Sequence, residues 1–324
     1  MIKSVKNSEG LTLNKIPLII DSDPGIDDTL ALIYAFSKEV FDIKAVHTVS
    51  GNVSIEHTTE NARGVLGLIG QNNVPVHAGA ARPLVNNPIF ADDIHGENGL
   101  GGANIPEDLY VPLQETSAFQ SYVDILSKAD EKITIVAVGP LTNLAVVLRA
   151  YPELNEKIAQ VVIMGGGIGR GNTTPAAEFN FYADPHAAKI VSESGLKIVL
   201  SGLNVTDFTR VYESDFKDLA TTNEKLSEFL LNLNGDYIEK ISGDGRYITP
   251  HDVMAFMYLT HPDIFTTEEM AIIVDANDGP TMGMTYSDNH RKKAPNNMTV
   301  ITEADNEAYR NELMAAIKET TINL

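Results

Sequence analysis

Between Ile16 and Leu200 the chain alternates apolar, β-branched runs with helix-like segments, and few folds accept that order. "IPLII" reads as a strand, "IDDTLALIYAFS" as a helix, "IKAVHTVS" as a strand and "SIEHTTENARGVLGLIG" as a helix. The pattern returns with "KITIVAV", "LTNLAVVLRA", "AQVVIM", "DPHAAKIVSES" and "LKIVL". Strand followed by helix, repeated, specifies a mostly parallel sheet covered on both faces. Uninterrupted apolar runs such as "VVIM" fit strands buried on both sides. The expected class is therefore α/β, an open, mostly parallel, mixed sheet flanked by helices, with a Rossmann-like core.

The later part is less regular. Residues 214–240 read as helical, as does a segment starting near His251. "EEMAIIVDA", "TMGMTY" and "NNMTVIT" read as strands, with antiparallel pairing open to them, and "EADNEAYRNELMAAIKE" closes the chain as a helix. There is no repeat and no linker rich in Pro, Gly or Ser. A single domain over residues 1–324 is expected, with residues 1–14 a loose N-terminal extension.

The chain has 324 residues, 43% of them hydrophobic, enough for a large core. A formal net charge of −20 disfavours nucleic acid polymers and anionic membranes as partners. With no cysteine, disulfides, thiolate metal sites and cysteine catalysis are excluded. No run approaches the roughly 18 apolar residues that span a bilayer, and no apolar stretch near Met1 has signal-peptide length. A cytoplasmic protein is expected.

The chemistry concentrates in "DSDPGIDD", where Asp21, Asp23, Asp27 and Asp28 fall within eight residues. Asp21 and Asp23 end a strand, Pro24 and Gly25 turn the chain, and Asp27 and Asp28 open a helix. Helix capping accounts for one or two carboxylates. Four so close repel, and a hard cation would relieve them. The stretch is not an EF-hand: counted from Asp21, the sixth residue is Ile26 and the twelfth Leu32, where glycine and glutamate belong. The D-x-D start of Mg²⁺-dependent aspartyl phosphotransferases is a rival, but Pro24 and Gly25 follow where a small residue and Thr or Val are usual. "GGGIG" at Gly165–Gly169 lacks glycine at the offsets a dinucleotide site requires, so no such site is expected.

"DSDPGIDD" resembles the N-terminal signature of the inosine–uridine-preferring nucleoside hydrolases. The resemblance extends through "SGN" at Ser50–Asn52, "DIHGENGLGG", "VGPLTN", "VVIMGGG…GN…AEFNFYADPHAA" and "HD" at His251–Asp252, in order over nearly the whole chain. It implies a Ca²⁺-dependent enzyme that hydrolyses the N-glycosidic bond of purine or pyrimidine ribonucleosides to ribose and free base, in nucleoside salvage. Carried over, Asp23, Asp28, Asp252 and the Val138 carbonyl hold Ca²⁺. Asp27 and Asn52 bind the ribose diol, with Asp252 beside them. Asn172 and Glu178 hold the 5′-hydroxyl, Asn180 lies near the ribose ring, and Met164 packs on the sugar. Asp23 is the base that activates water, and His251 the acid that protonates the leaving base. His95 contacts the nucleobase, and Asp21 supports the others from behind. A homodimer or homotetramer is implied.

Plainer readings stand beside these. His251 and Asp252 fit a helix start, and the loop polar residues fit ordinary loop satisfaction. Tyr237–Pro250 is expected over the base, with Tyr247 a candidate to reach it. Purine or pyrimidine preference is not legible. A catalytically silent Ca²⁺-dependent nucleoside- or sugar-binding protein is the alternative from another class.

Overall fold

The computed structural model describes residues 4–6, 12–288 and 295–324. Its centre is an eight-stranded sheet. In chain order the strands are β1 (Ile16–Ser22), β2 (Phe41–Thr48), β3 (Val76–Ala78), β4 (Ile133–Ala137), β5 (Ile158–Met164), β6 (Ile198–Ser201), β7 (Phe265–Met270) and β8 (Met298–Ala304). They lie in the order β7-β8-β6-β5-β4-β1-β2-β3. Only β7 runs antiparallel to its neighbour; the other pairs are parallel.

Alternation along the strands builds two cores. Leu18, Ile20, Val46, Val136 and Val162 face one helical layer, whereas Ile19, Ile135, Val161, Ile163 and Leu200 face the other. Side chains change face at each residue, so a strand buried on both sides must be apolar throughout. That is what "IPLII" and "VVIM" provide.

The late strands divide differently from the sequence expectation. "EEMAIIVDA" is not one strand: β7 ends at Met270, and Ile272–Val274 pairs with Thr285–Ser287 in a separate two-stranded sheet. Asn297 makes the break, accepting the Ile272 amide on Oδ1 (2.7 Å) while its own amide donates to the Met270 carbonyl (3.0 Å). The helical reading of 214–240 holds in pieces, Glu213–Asp218, Glu224–Tyr237 and a π-helical turn over Ile238–Ser242. The expected N-terminal extension lies partly outside the described residues; within them Ser4–Lys6 pairs antiparallel with Thr12–Asn14. No helix among the described residues is long and apolar enough to cross a membrane.

The sheet order fixes where a ligand can sit. The chain leaves β1 for β2 and β3 on one side, then returns to β4 on the other. Connections at the carboxyl ends of β1 and β4 therefore diverge and leave a crevice, the usual ligand position in open α/β sheets. "DSDPGIDD" starts on the last two residues of β1 and runs on beyond it, and Val138 follows β4.

Candidate active site

A cavity of about 560 Å³ opens at that divergence. Its wall brings together Asp27, Asn52, His95, Val138, Met164, Asn172, Glu178, Asn180, His251 and Asp252, ten of the residues singled out in the sequence. Asp23 and Asp28 are buried and absent from the wall. Asp21 is also buried and outside the cavity lining.

The four acids of the turn have different surroundings. Asp28, in the first turn of the Ile26–Ser37 helix, accepts from Ser22 Oγ (2.6 Å), the Gly25 amide (3.0 Å) and Asn52 Nδ2 (3.0 Å). It therefore caps the helix and anchors Asn52. Asp23 Oδ2 accepts the Asn52 amide at 2.7 Å, while its buried Oδ1 has no hydrogen-bond partner. Asp27 faces the cavity. Asp21 accepts from Tyr122 Oη (2.7 Å) and Asn143 Nδ2 (3.1 Å), a supporting network away from the cavity wall.

Asp252 closes the cluster from across the crevice. One carboxylate oxygen from each of Asp27, Asp28 and Asp252 lies within 4.8 Å of the others. Asp23 is outside this set, although repulsion from Asp28 and Asp27 acts on it. Burial drives all four upward in pKa, aided at Asp23, Asp27 and Asp252 by neighbouring carboxylates, and brings Asp27 to about 8. An orphaned buried oxygen on Asp23 and three converging carboxylates make an all-oxygen donor set that fits a hard divalent cation. Backbone shape leaves room for it. A Cβ on Gly51 would stand 2.0 Å from Asp23 Oδ2, and one on Gly139 would stand 2.5 Å from Oδ1.

The opposite wall comes from the loop after β5. Glu178 caps the short Phe179–Ala183 helix, taking the Asn180 amide on Oε1 (2.9 Å) and the Gly166 and Phe181 amides on Oε2 (2.8 and 3.1 Å). Burial nevertheless raises it to about 7. Asn180 Nδ2 donates to the Val138 and Met164 carbonyls (2.8 and 3.2 Å), which ties this wall to the end of β4. Asn172 Oδ1 accepts the Phe179 amide at 2.9 Å.

Two histidines face the cavity. His95 Nδ1 accepts the Ile26 amide at 3.1 Å, so a neutral ring carries its hydrogen on Nε2. His251 Nδ1 lies 2.8 Å from Thr206 Oγ1. Burial pulls both to about 4, which favours neutral imidazole.

A model of the inosine-uridine preferring nucleoside hydrolases matches residues 18–311. The chain belongs to this family. It is an N-ribosyl hydrolase. A pyrimidine-specific ribonucleoside hydrolase, RihA, from Citrobacter koseri is 37% identical over 91% of this chain and 95% of its own length. Among solved structures, the plant nucleoside hydrolase PpNRh1 superposes with a TM-score of 0.86 at 30% identity, covering 94% of this chain and 99% of its own. The purine-preferring ribonucleoside hydrolase from Gardnerella vaginalis gives 0.86 at 31% identity, covering 93% and 98%.

Of the further residues lining the nucleoside hydrolase cavity, Phe90 and Asp207 carry no sequence signal, whereas Phe179, Tyr182 and Tyr237 fall inside stretches that the sequence points to. Tyr237 falls at the start of the stretch expected over the base, whereas Tyr247 is not in the lining and packs under the Arg210 guanidinium, 4.4 Å from its ring centre. Phe179 and Tyr182 sit inside the "EFNFYAD" string, and only their helical placement turns them toward the crevice.

Proposed function

We propose that this nucleoside hydrolase is Ca²⁺-dependent, prefers pyrimidine ribonucleosides and serves nucleoside salvage. The observation that carries the metal reading is the cluster of buried Asp23, Asp28 and Asp252 with half-buried Asp27, whose carboxylates repel one another. Asp23, Asp28, Asp252 and the Val138 carbonyl would hold Ca²⁺, with Asp27 at the rim. When bound, the ion polarises water and orients the ribose diol.

The remaining steps belong to side chains. Asp27 and Asn52 take the ribose 2′- and 3′-hydroxyls, and Asn52 is pre-set by its bonds to the Asp23 carbonyl and Asp28. Asn172 and Glu178 take the 5′-hydroxyl. Met164 at the end of β5 and Asn180 in the Phe179–Ala183 helix, tied together by the Asn180 Nδ2 bond to the Met164 carbonyl, pack against the ring. Asp23 accepts a proton from the attacking water, for which its unpartnered Oδ1 is suited. As the glycosidic bond breaks, positive charge grows on the sugar, and the surrounding carboxylates stabilise it. His251 delivers a proton to the departing base, and His95 donates Nε2–H to the same region.

The pyrimidine preference follows the RihA relatives, which exceed the purine-preferring structure in identity. The test is base release from uridine, cytidine and inosine, with and without chelator. Turnover that survives complete chelation would overturn the calcium reading, and inosine as the best substrate would overturn the base preference.

A further inference from the structure

Thr206 ends the four-residue helix Leu203–Thr206, which follows β6. Nothing in its sequence context marks it, yet its Oγ1 lies 2.8 Å from His251 Nδ1. With Nδ1 engaged, Nε2 on the other edge of the ring is left for the cavity that His251 lines. We propose that Thr206 is the positioning residue of His251, holding the imidazole so that Nε2 faces the bond being broken. This rests on the reading of His251 as donor to the leaving base.

A hydroxyl can do that task in either charge state of the ring. It offers one hydrogen and two acceptor sites, so it can pair with Nδ1 whether or not that nitrogen carries hydrogen. The donor form is the imidazolium, which carries hydrogen on both nitrogens after taking a proton from solvent: its Nε2–H bond breaks, the base gains that proton along with the glycosidic electron pair, the ring is left neutral with hydrogen on Nδ1 toward Thr206 Oγ1, and solvent returns a proton to Nε2. The ring need not turn over at any stage.

The backbone fixes where the hydroxyl stands. The Thr206 amide donates to the Gly202 carbonyl (3.0 Å), and its carbonyl accepts from Thr209 Oγ1 (2.8 Å). The Leu203 amide donates to the Gly166 carbonyl (2.9 Å), joining this helix to the loop that carries Glu178. Thr206 is fully buried and β-branched, so its rotamers are few. The adjacent Asp207 is committed to Arg170 (2.5 Å), whose guanidinium lies 5.4 Å over the Phe208 ring. Asp207 and Arg170 act on His251 only through their charges, and the hydrogen bond at Nδ1 is Thr206's.

The test compares two leaving groups. Uridine needs its base protonated, whereas p-nitrophenyl β-D-ribofuranoside departs as a stable phenolate. Thr206→Val keeps the shape and removes the hydroxyl. It should lower kcat for uridine at least about tenfold, a part of the roughly 10²–10⁴ that general acid catalysis contributes. The uridine KM and the kcat on the p-nitrophenyl riboside should stay within about threefold of wild type, and Thr206→Ser should restore uridine turnover. Equal losses on both substrates, or no loss on uridine, would overturn the inference. Thr206→Ala serves the same comparison if the valine variant does not fold. Full uridine turnover by His251→Ala would instead remove the donor reading beneath it.

Discussion

The Tyr122 hydroxyl donates to Asp21 Oδ2 at 2.7 Å, and this bond sets Asp21 apart from the three other acids of its turn. Both groups are buried, and Asn143 holds the second Asp21 oxygen while also donating to the Thr48 carbonyl. Asp21 thus fastens β1 to two helices and to the end of β2. Tyr122→Phe leaves a buried carboxylate oxygen without its donor. We expect a stability loss of about 1–3 kcal/mol in urea unfolding. Uridine KM should remain near wild type, because neither residue lines the cavity. A stable variant with a large KM increase would contradict the separation.

Asp23→Asn should lose about three orders of magnitude or more in kcat, because one residue is asked to act as both ligand and base. Calorimetric titration with Ca²⁺ should show weakened binding alongside. Wild-type turnover by that variant would remove Asp23 from the chemistry.

The metal-free protein should lose stability as pH rises. Asp21 and Glu178 are raised to about 7 and Asp27 to about 8, against an unfolded value near 4. A carboxyl raised in the folded state binds more protons there than when unfolded. Its stabilisation is full below the unfolded pKa and is lost as pH climbs through the folded one. Chelated protein should therefore melt lower at pH 8 than at pH 5, by roughly 5 °C or more. Added Ca²⁺ should recover the part of the difference that comes from Asp27 and the carboxylates clustered with it, and leave the part from Asp21. Melting temperatures that rise with pH in chelator would show that these acids are not raised.

Nucleotides should be rejected. Asp27, Asp93, Glu178, Asp207 and Asp252 line the cavity, and among the described residues no Lys or Arg does. A 5′-phosphate would bring about two negative charges beside buried Glu178, a like-charge juxtaposition costing several kcal/mol. Uridine 5′-monophosphate should show kcat/KM lower than uridine by about three orders of magnitude. Comparable values would mean that Glu178 does not face the 5′ end.

What the sequence made legible follows from where the information sits. The strands and the helix after β1 are written in local periodicity, and "DSDPGIDD", "SGN" and "HD" are short strings whose residues stay together when folded. Tyr122, Thr206 and Asp207 are different. Each is an ordinary residue in an ordinary segment, brought to the acids by packing across long sequence separations. The Ala118–Lys128 helix and the three-residue β3 likewise escaped, β3 because it is too short to show a period. The convergence of Asp27 and Asp28 on Asp252 depends on how the helix start turns its first two acids and not on their spacing.

Glycine at position 51 should prove necessary for the metal site and dispensable for the fold. Its missing Cβ would stand 2.0 Å from Asp23 Oδ2 and 2.8 Å from Pro140 Cδ, so the ring blocks one escape and Asp23 must swing away. That swing breaks the 2.7 Å bond from the Asn52 amide and takes the carboxylate off the cluster. Gly51→Ala should weaken Ca²⁺ binding at least tenfold, about 1.4 kcal/mol, and depress uridine turnover, with far-ultraviolet circular dichroism unchanged. Gly235→Ala is the matched control. Nothing lies within 4 Å of its added Cβ, and the site is inside the Glu224–Tyr237 helix, where alanine gains about 0.5–1 kcal/mol over glycine. The two substitutions are the same chemistry at different places. One should cost metal affinity and the other should add stability, and if both leave Ca²⁺ binding alone then Asp23 is not held where the ion needs it.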